Sequence, residues 1–130
     1  MTSRTIIVGY GYDLGGDFDG WNHGITGTLN GRASDAREIM YAMKEHLNKS
    51  ALKGAVTTEV YGYSEDQALG VMVLAHKEEH NLMSVIDIES TITANAANRA
   101  KWDADLAAAM ALFGIAPTVK PGWIVTGYDG

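Results

Sequence analysis

Eight of the fifteen glycines lie between Gly9 and Gly31. A glycine-rich stretch loses so much backbone freedom on ordering that it resists becoming a helix or a strand. Residues 11 to 31 show neither a helical nor a strand period. They are expected to form one long loop, with a short extended piece around Ile25 to Leu29. Structureless loops beyond about 12–15 residues in a compact domain are usually functional or disordered. The packed body must then come from the first ten residues and from everything after Gly31.

Those flanking residues carry clear periods. Arg4 to Tyr10 reads as a strand, with Ile6, Ile7 and Val8 as a β-branched run. Ser34 to about Ser50 reads as a helix. Ser34 is an N-cap candidate, Asp35 and Glu38 suit the first turn, and Ala36, Ile39, Met40, Met43 and Leu47 form one apolar stripe. Ala55 to Tyr63 reads as a strand, followed by a turn at Ser64–Gln67. Leu69 to Ala75 is expected to be a strand, His76 to Asn81 a polar turn, and Leu82 to Ile88 another strand. Ser64 with Gln67 also fits a capping box, which would instead open a helix over 65–80. Ala94 to Phe113 reads as a helix with Thr93 as its cap. Arg99–Asp103 and Lys101–Asp105 are i,i+4 pairs on it, and Gly114 ends it. Pro121 and Gly122 then open a last strand, Trp123 to Tyr128.

The order strand, helix, three strands, helix, strand predicts an α+β chain. The simplest packing is a mainly antiparallel four- to five-stranded sheet with two helices on one face, an elaborated ferredoxin-like (split βαβ) sandwich. A third helix at 65–80 would change this to α/β alternation. A chain of 130 residues is expected to be one domain, 1–130. The second sheet face needs cover, so a homo-oligomer is expected.

Composition removes several functions. There is no cysteine, so disulfides, thiolate metal sites and cysteine nucleophiles are excluded. Sixteen acidic against ten basic residues give a net charge of −6, and the basic ones are scattered. That argues against nucleic-acid binding, which needs clustered Lys and Arg. No apolar run approaches the ~20 residues that span a bilayer, and the N-terminus lacks a signal-peptide core. A cytoplasmic location is expected, with no membrane partner.

Each familiar motif fails on a specific residue. Gly9-Tyr10-Gly11 follows a strand, but the sixth position of a dinucleotide fingerprint is Leu14, not glycine, and no helix opens there. Asp17-Phe18-Asp19-Gly20 echoes a calcium loop, yet the first position would be Gly15 and the twelfth Thr26. His76-Lys77-Glu78-Glu79-His80 fits a short zinc pattern, with His76, Glu79 and His80 as metal candidates, provided the segment is helical. In a turn that geometry is lost. No cofactor is implied. The strand Gly54-Ala55-Val56-Thr57-Thr58-Glu59-Val60-Tyr61-Gly62-Tyr63 resembles the second strand of PII-type signalling proteins, which are trimeric ferredoxin-like nucleotide binders. The resemblance spans about ten residues and implies fold only, since no PII-type ligand loop follows.

The remaining candidate is diffuse. The loop holds Asp13, Asp17, Asp19, Trp21 and His23, and tyrosines stand beside glycines at strand ends: Tyr10, Tyr12, Tyr61, Tyr63 and Tyr128. The first two strands should run the same way, bringing their C-terminal ends to one edge beside the loop. An aromatic, acidic rim of this kind could stack a ring, hold a cation or anchor a protein. The sequence is therefore expected to encode a non-catalytic binding module for a protein partner or a small-molecule ligand, such as a phage-type accessory, inhibitor or ligand-sequestering protein. An enzyme acting on a nucleotide-like or cationic small molecule would draw its acid–base groups from Asp13, Asp19, His23, Glu59 and Glu65. A structural subunit of a larger assembly is the third expectation.

Overall fold

Short β-branched and aromatic runs alternate here with two stretches of helical period. The computed structural model describes residues 4–15, 36–64, 67–81, 85–117 and 120–129. In chain order the elements are β1 (Arg4–Gly15), α1 (Ala36–Asn48), β2 (Thr57–Ser64), β3 (Gln67–Asn81), α2 (Ile88–Ala94), a 3-10 turn (Ala96–Asn98), α3 (Arg99–Phe113) and β4 (Gly122–Asp129). The strands form one antiparallel sheet in the order β2-β3-β1-β4. The described residues are thus α+β, with a four-stranded sheet and three helices. Among the described residues no helix is long and apolar enough to cross a membrane.

The helices form where apolar spacing and end signals agree. Met40, Met43 and Leu47 put the buried face of α1 on the sheet. Ser50 closes α1 by donating its hydroxyl to the Leu47 carbonyl at 2.8 Å and accepting from the Leu52 amide at 3.1 Å. In α3, Trp102, Leu106, Ala109, Met110 and Phe113 are buried. Gly114 ends it in the left-handed region at φ 72°, where other residues are strained. The Gly114 amide donates to Ala111 and the Ile115 amide to Met110, so Ile115 folds back onto Met110 in the core. Both helices contribute to the same core cluster against Tyr10, Tyr12, Leu14, Val60, Val71 and Val73, so they share one sheet face. Thr58 is fully buried on that face and donates to the Met40 carbonyl at 3.0 Å, tying β2 to α1. Ile7, Met72 and Leu74, with Tyr61 and Ile124, form a smaller cluster on the opposite face.

Three expectations are corrected. First, β1 does not stop at Tyr10 but continues to Gly15. Val8, Tyr10, Tyr12 and Leu14 are all buried, and this period of two explains the extension. Gly9 and Gly11 fall on the other face and disguise the pattern. Second, residues 67–80 of the alternative helix 65–80 are not helical, and His76–Asn81 is not a turn; residues 65 and 66 lie outside the described residues. Gln67–Asn81 is a single strand of 15 residues. It pairs with β1 as far as Thr5–Asn81, and its register shifts where Tyr10–His76 gives way to Gly11–Leu74, leaving Ala75 as an extra residue. This bulge changes the phase of the strand. Val71 and Val73 face the helices before it. His76, Glu78 and His80 face them after it, opposite Tyr10, Val8 and Ile6. Gly11 is forced by the bulge, because a Cβ there would run into the Val73 carbonyl.

Third, the expected strand Leu82–Ile88 is not formed over its described residues, 85–88. Residues 85–87 are irregular and Ile88 opens α2, while Leu82–Ser84 lie outside the described residues. Thr93 is consequently inside α2 rather than capping α3, whose N-cap is Asn98. Asp87 caps α2, its side chain accepting from the Ser90 amide at 3.0 Å and the Ser90 hydroxyl at 2.8 Å. These bonds hold the Asp87 carboxyl below its ordinary pKa. Of the expected loop, residues 16–31 lie outside the described residues.

Candidate functional site

Strands β1 and β2 each run antiparallel to β3, which lies between them. They therefore point the same way, and their C-terminal ends reach one edge of the sheet. Asp13 and Tyr61 meet there, the Tyr61 hydroxyl donating to Asp13 Oδ1 at 2.7 Å. The bond spans the whole width of β3. Gly70 pairs with Tyr61, and a Cβ on Gly70 would overlap the Tyr61 ring. Glycine at this position is what lets the ring cross the strand.

The other expected rim residues scatter. Tyr10 and Tyr12 are 1% and 8% exposed and belong to the core under the helices. They are corrected from rim to core, because their even positions on β1 face away from Asp13 and Tyr61. Tyr128 pairs with Thr5 at the opposite end of β1, so it too is removed from this edge. Tyr63 pairs with Ala68 near the edge, but its side chain lies outside the described residues. Asp17, Asp19, Trp21, His23 and Glu65 also lie outside the described residues.

Glu59 shares the outer face with Tyr61 but is already engaged. Glu59 Oε1 accepts from Lys77 Nζ at 2.8 Å, and Lys44 Nζ is 3.9 Å away. Burial works against the Lys77 ammonium. The hydrogen bond and charge of Glu59, with Glu79 at 3.5 Å, outweigh that burial and raise its pKa.

A second cluster lies on the helix face. The ring of His76 stacks on Trp102 with centroids 4.8 Å apart, and Trp123 stands edge-on to both at 5.9 Å. Tyr10 lies 5.5 Å from each tryptophan. Its hydroxyl donates to Asp103 Oδ1 at 2.6 Å and accepts from Arg99 at 3.1 Å, while the Arg99 guanidinium sits 5.1 Å from the ring centre. Burial first, then the hydrogen bond to Asp103, push the Tyr10 pKa above its ordinary value, although Arg99 pulls the other way. The phenol is held as a hydrogen-bond donor to Asp103. Arg99 and Asp103 look in sequence like an i,i+4 surface pair. Both reach the same buried hydroxyl instead, and the alternation Val8-Tyr10-Tyr12-Leu14 is the signal that could have placed that hydroxyl beneath α3.

The metal candidates need a helix that the chain does not form. On a strand, Glu79 points away from His76 and His80, and Glu78 comes between them. Glu78 Oε2 is 2.9 Å from His76 Nε2, and Glu78 Oε1 is 3.5 Å from His80 Nε2. Among the described residues no group of three or more His, Asp or Glu side chains is arranged to hold a metal ion.

No family model matches this chain, and no curated protein or solved structure matches it either.

Proposed function

We propose that the chain is a small non-catalytic binding module that recognises a protein partner or a small ligand at the sheet edge where Asp13 and Tyr61 meet. The observation that carries this reading is the 2.7 Å bond between them. It fixes an aromatic ring and a carboxylate at the point where the Gly/Asp-rich segment leaves β1. Side chains held before a partner arrives lose less entropy on binding. The acid–base candidates Asp13 and Glu59 are already engaged, by Tyr61 and by two lysines. This favours recognition over turnover. Sequestration or inhibition is the kind of role such a module fills.

Within the same proposal, the architecture is an elaborated ferredoxin-like sandwich that assembles as a homo-oligomer. The order strand, helix, two strands, helices, strand and the antiparallel arrangement β2-β3-β1-β4 support the fold name.

The test is the pair Tyr61→Phe and Asp13→Asn in one protein, checked for an unchanged far-UV circular dichroism spectrum. Native mass spectrometry then compares what wild type and variant retain through purification. The reading expects the variant to lose the retained ligand or partner. Equal retention would remove this edge from the function.

A further inference from the structure

Strand β3 is longer than either strand beside it. Its neighbour β1 pairs with it from Val71 to Asn81, but β2 pairs with it only from Gln67 to Leu74. The chain ahead of β2 has to leave the sheet to join α1. Gly54 sits there in the left-handed region at φ 82°, and the Ala55 amide donates to the Leu52 carbonyl at 2.9 Å. Over residues 75–81, β3 therefore has β1 on one side and no strand among the described residues on the other. Burial follows the same boundary. Val71, Met72, Val73 and Leu74 are 0–1% exposed, whereas every residue from 75 to 81 is at least partly exposed. A stretch paired on one side offers a row of backbone N–H and C=O groups to an added strand.

The space beside this stretch continues the line of β2 past Thr57. At its head is an open pocket of about 400 Å³, with Gly54, Thr57, Ala75 and Lys77 among its lining.

The side chains along the edge decide what fits. Beyond the bulge, Glu78 lies on the helix side with His76 and His80, and Lys77 and Glu79 lie on the outer side. Lys77 is already held by Glu59 at 2.8 Å. The Glu79 side chain is 59% exposed and that of Glu78 is 30% exposed. A second copy of the chain fits this edge poorly. Two-fold antiparallel pairing keeps each sheet face with its own kind, so one residue must oppose itself. Every register that uses most of the edge sets Lys77, Glu78 or Glu79 against the same residue, and like charges directly opposite are destabilising. A basic strand meets no such conflict. A Lys or Arg opposite Glu79 gains a cross-strand ion pair, and Glu78 offers a second on the other face. The net charge of −6 favours the approach of such a strand.

We infer that residues 75–81 are a docking edge for an extended, basic peptide segment of another protein, which adds to β3 as a further antiparallel strand. The edge lies toward the opposite end of β3 from Asp13 and Tyr61 and acts independently of them.

The experiment titrates the isotope-labelled full chain with blocked heptapeptides of Thr and Val and follows its amide signals by NMR. One peptide carries adjacent lysines at its third and fourth positions, and a second carries glutamates there. A third is the lysine peptide with N-methyl groups on two neighbouring amides, which block both of its edges. The lysine peptide should move the signals of residues 75–81 and give cross-strand contacts to them. The glutamate peptide should bind about fivefold more weakly or worse. The N-methylated peptide should not bind, although its charge is unchanged. Glu79→Lys, with its fold checked by circular dichroism, should reverse the preference between the lysine and glutamate peptides. The Asp13→Asn, Tyr61→Phe protein should bind the lysine peptide as wild type does, so that this inference and the Asp13–Tyr61 reading fail separately. No binding of the lysine peptide, shifts confined to other residues, equal binding of the lysine and glutamate peptides, or binding that survives N-methylation would each overturn the inference. An unchanged preference in Glu79→Lys, or loss of binding in the Asp13 and Tyr61 variant, would overturn it as well.

Discussion

The Tyr10 hydroxyl donates to Asp103 Oδ1 at 2.6 Å, joining the middle of β1 to the first turns of α3. It is a bond between residues 93 positions apart, and the Tyr10 ring lies against those of Trp102 and Trp123. It fixes how the long helix sits on the sheet.

Tyr10→Phe should therefore destabilise the protein by about 1–2 kcal/mol, since one buried partner of a charged group is lost. For a domain of this size the thermal midpoint should fall by roughly 3–8 °C. The pH dependence has a definite sign. Burial and Asp103 raise the Tyr10 pKa above its unfolded value, and burial with the charge of Asp103 does the same for Tyr12. Their contribution is complete below the unfolded value of 10.0 and is lost as pH rises through the folded value. Denaturant titrations above pH 10 should show wild type losing stability faster than the double variant Tyr10→Phe with Tyr12→Phe. Parallel curves would contradict this account.

The bulge at Ala75 makes a paired prediction about glycines. A Cβ on Gly11 would meet the Val73 carbonyl, whereas one on Gly122, its partner in β4, would meet open space. Gly11→Ala should cost about 2–4 kcal/mol, since backbone must move. Gly122→Ala should stay within about 1 kcal/mol of wild type. Equal denaturation midpoints for the two variants would mean that the register shift is misplaced.

How much of this was legible in the sequence depends on what hid each pattern. Met40, Met43 and Leu47, and Trp102 through Phe113, announce their helices by apolar spacing, to which Gly114 adds the end of the second. The meeting of Asp13 with Tyr61 follows from two strands that run the same way. His76–Asn81 resembles a turn because strands seldom carry so many charges, and because Ala75 breaks the period before it can be counted. Gly9 and Gly11 conceal a strand for a related reason, since they occupy only the alternate positions. Tyr10 and Tyr12 could be assigned to core or rim only once that alternation was placed against the helices. The start of α2 has a weaker signal, the cap at Asp87, and its break from α3 is marked by Asn95 and Asn98.

Gly70→Ala tests the aromatic edge without touching either of its functional groups. The added methyl overlaps the Tyr61 ring, which must swing off β3 and release Asp13. The exposed bond is worth little in stability, about 0–1 kcal/mol, so the thermal midpoint should change modestly while partner retention falls as it does in Tyr61→Phe. Loss of retention from Tyr61→Phe with none from Gly70→Ala would show that the ring position is irrelevant.

The role proposed for this chain is binding at a prepared edge. Native mass spectrometry of wild-type protein, purified without added ligand, tests it most directly. The expected species is an oligomer carrying extra mass or a co-purifying partner, and that mass should be lost when Asp13 and Tyr61 are replaced. A bare monomer at the sequence mass, identical in wild type and variant, would contradict it.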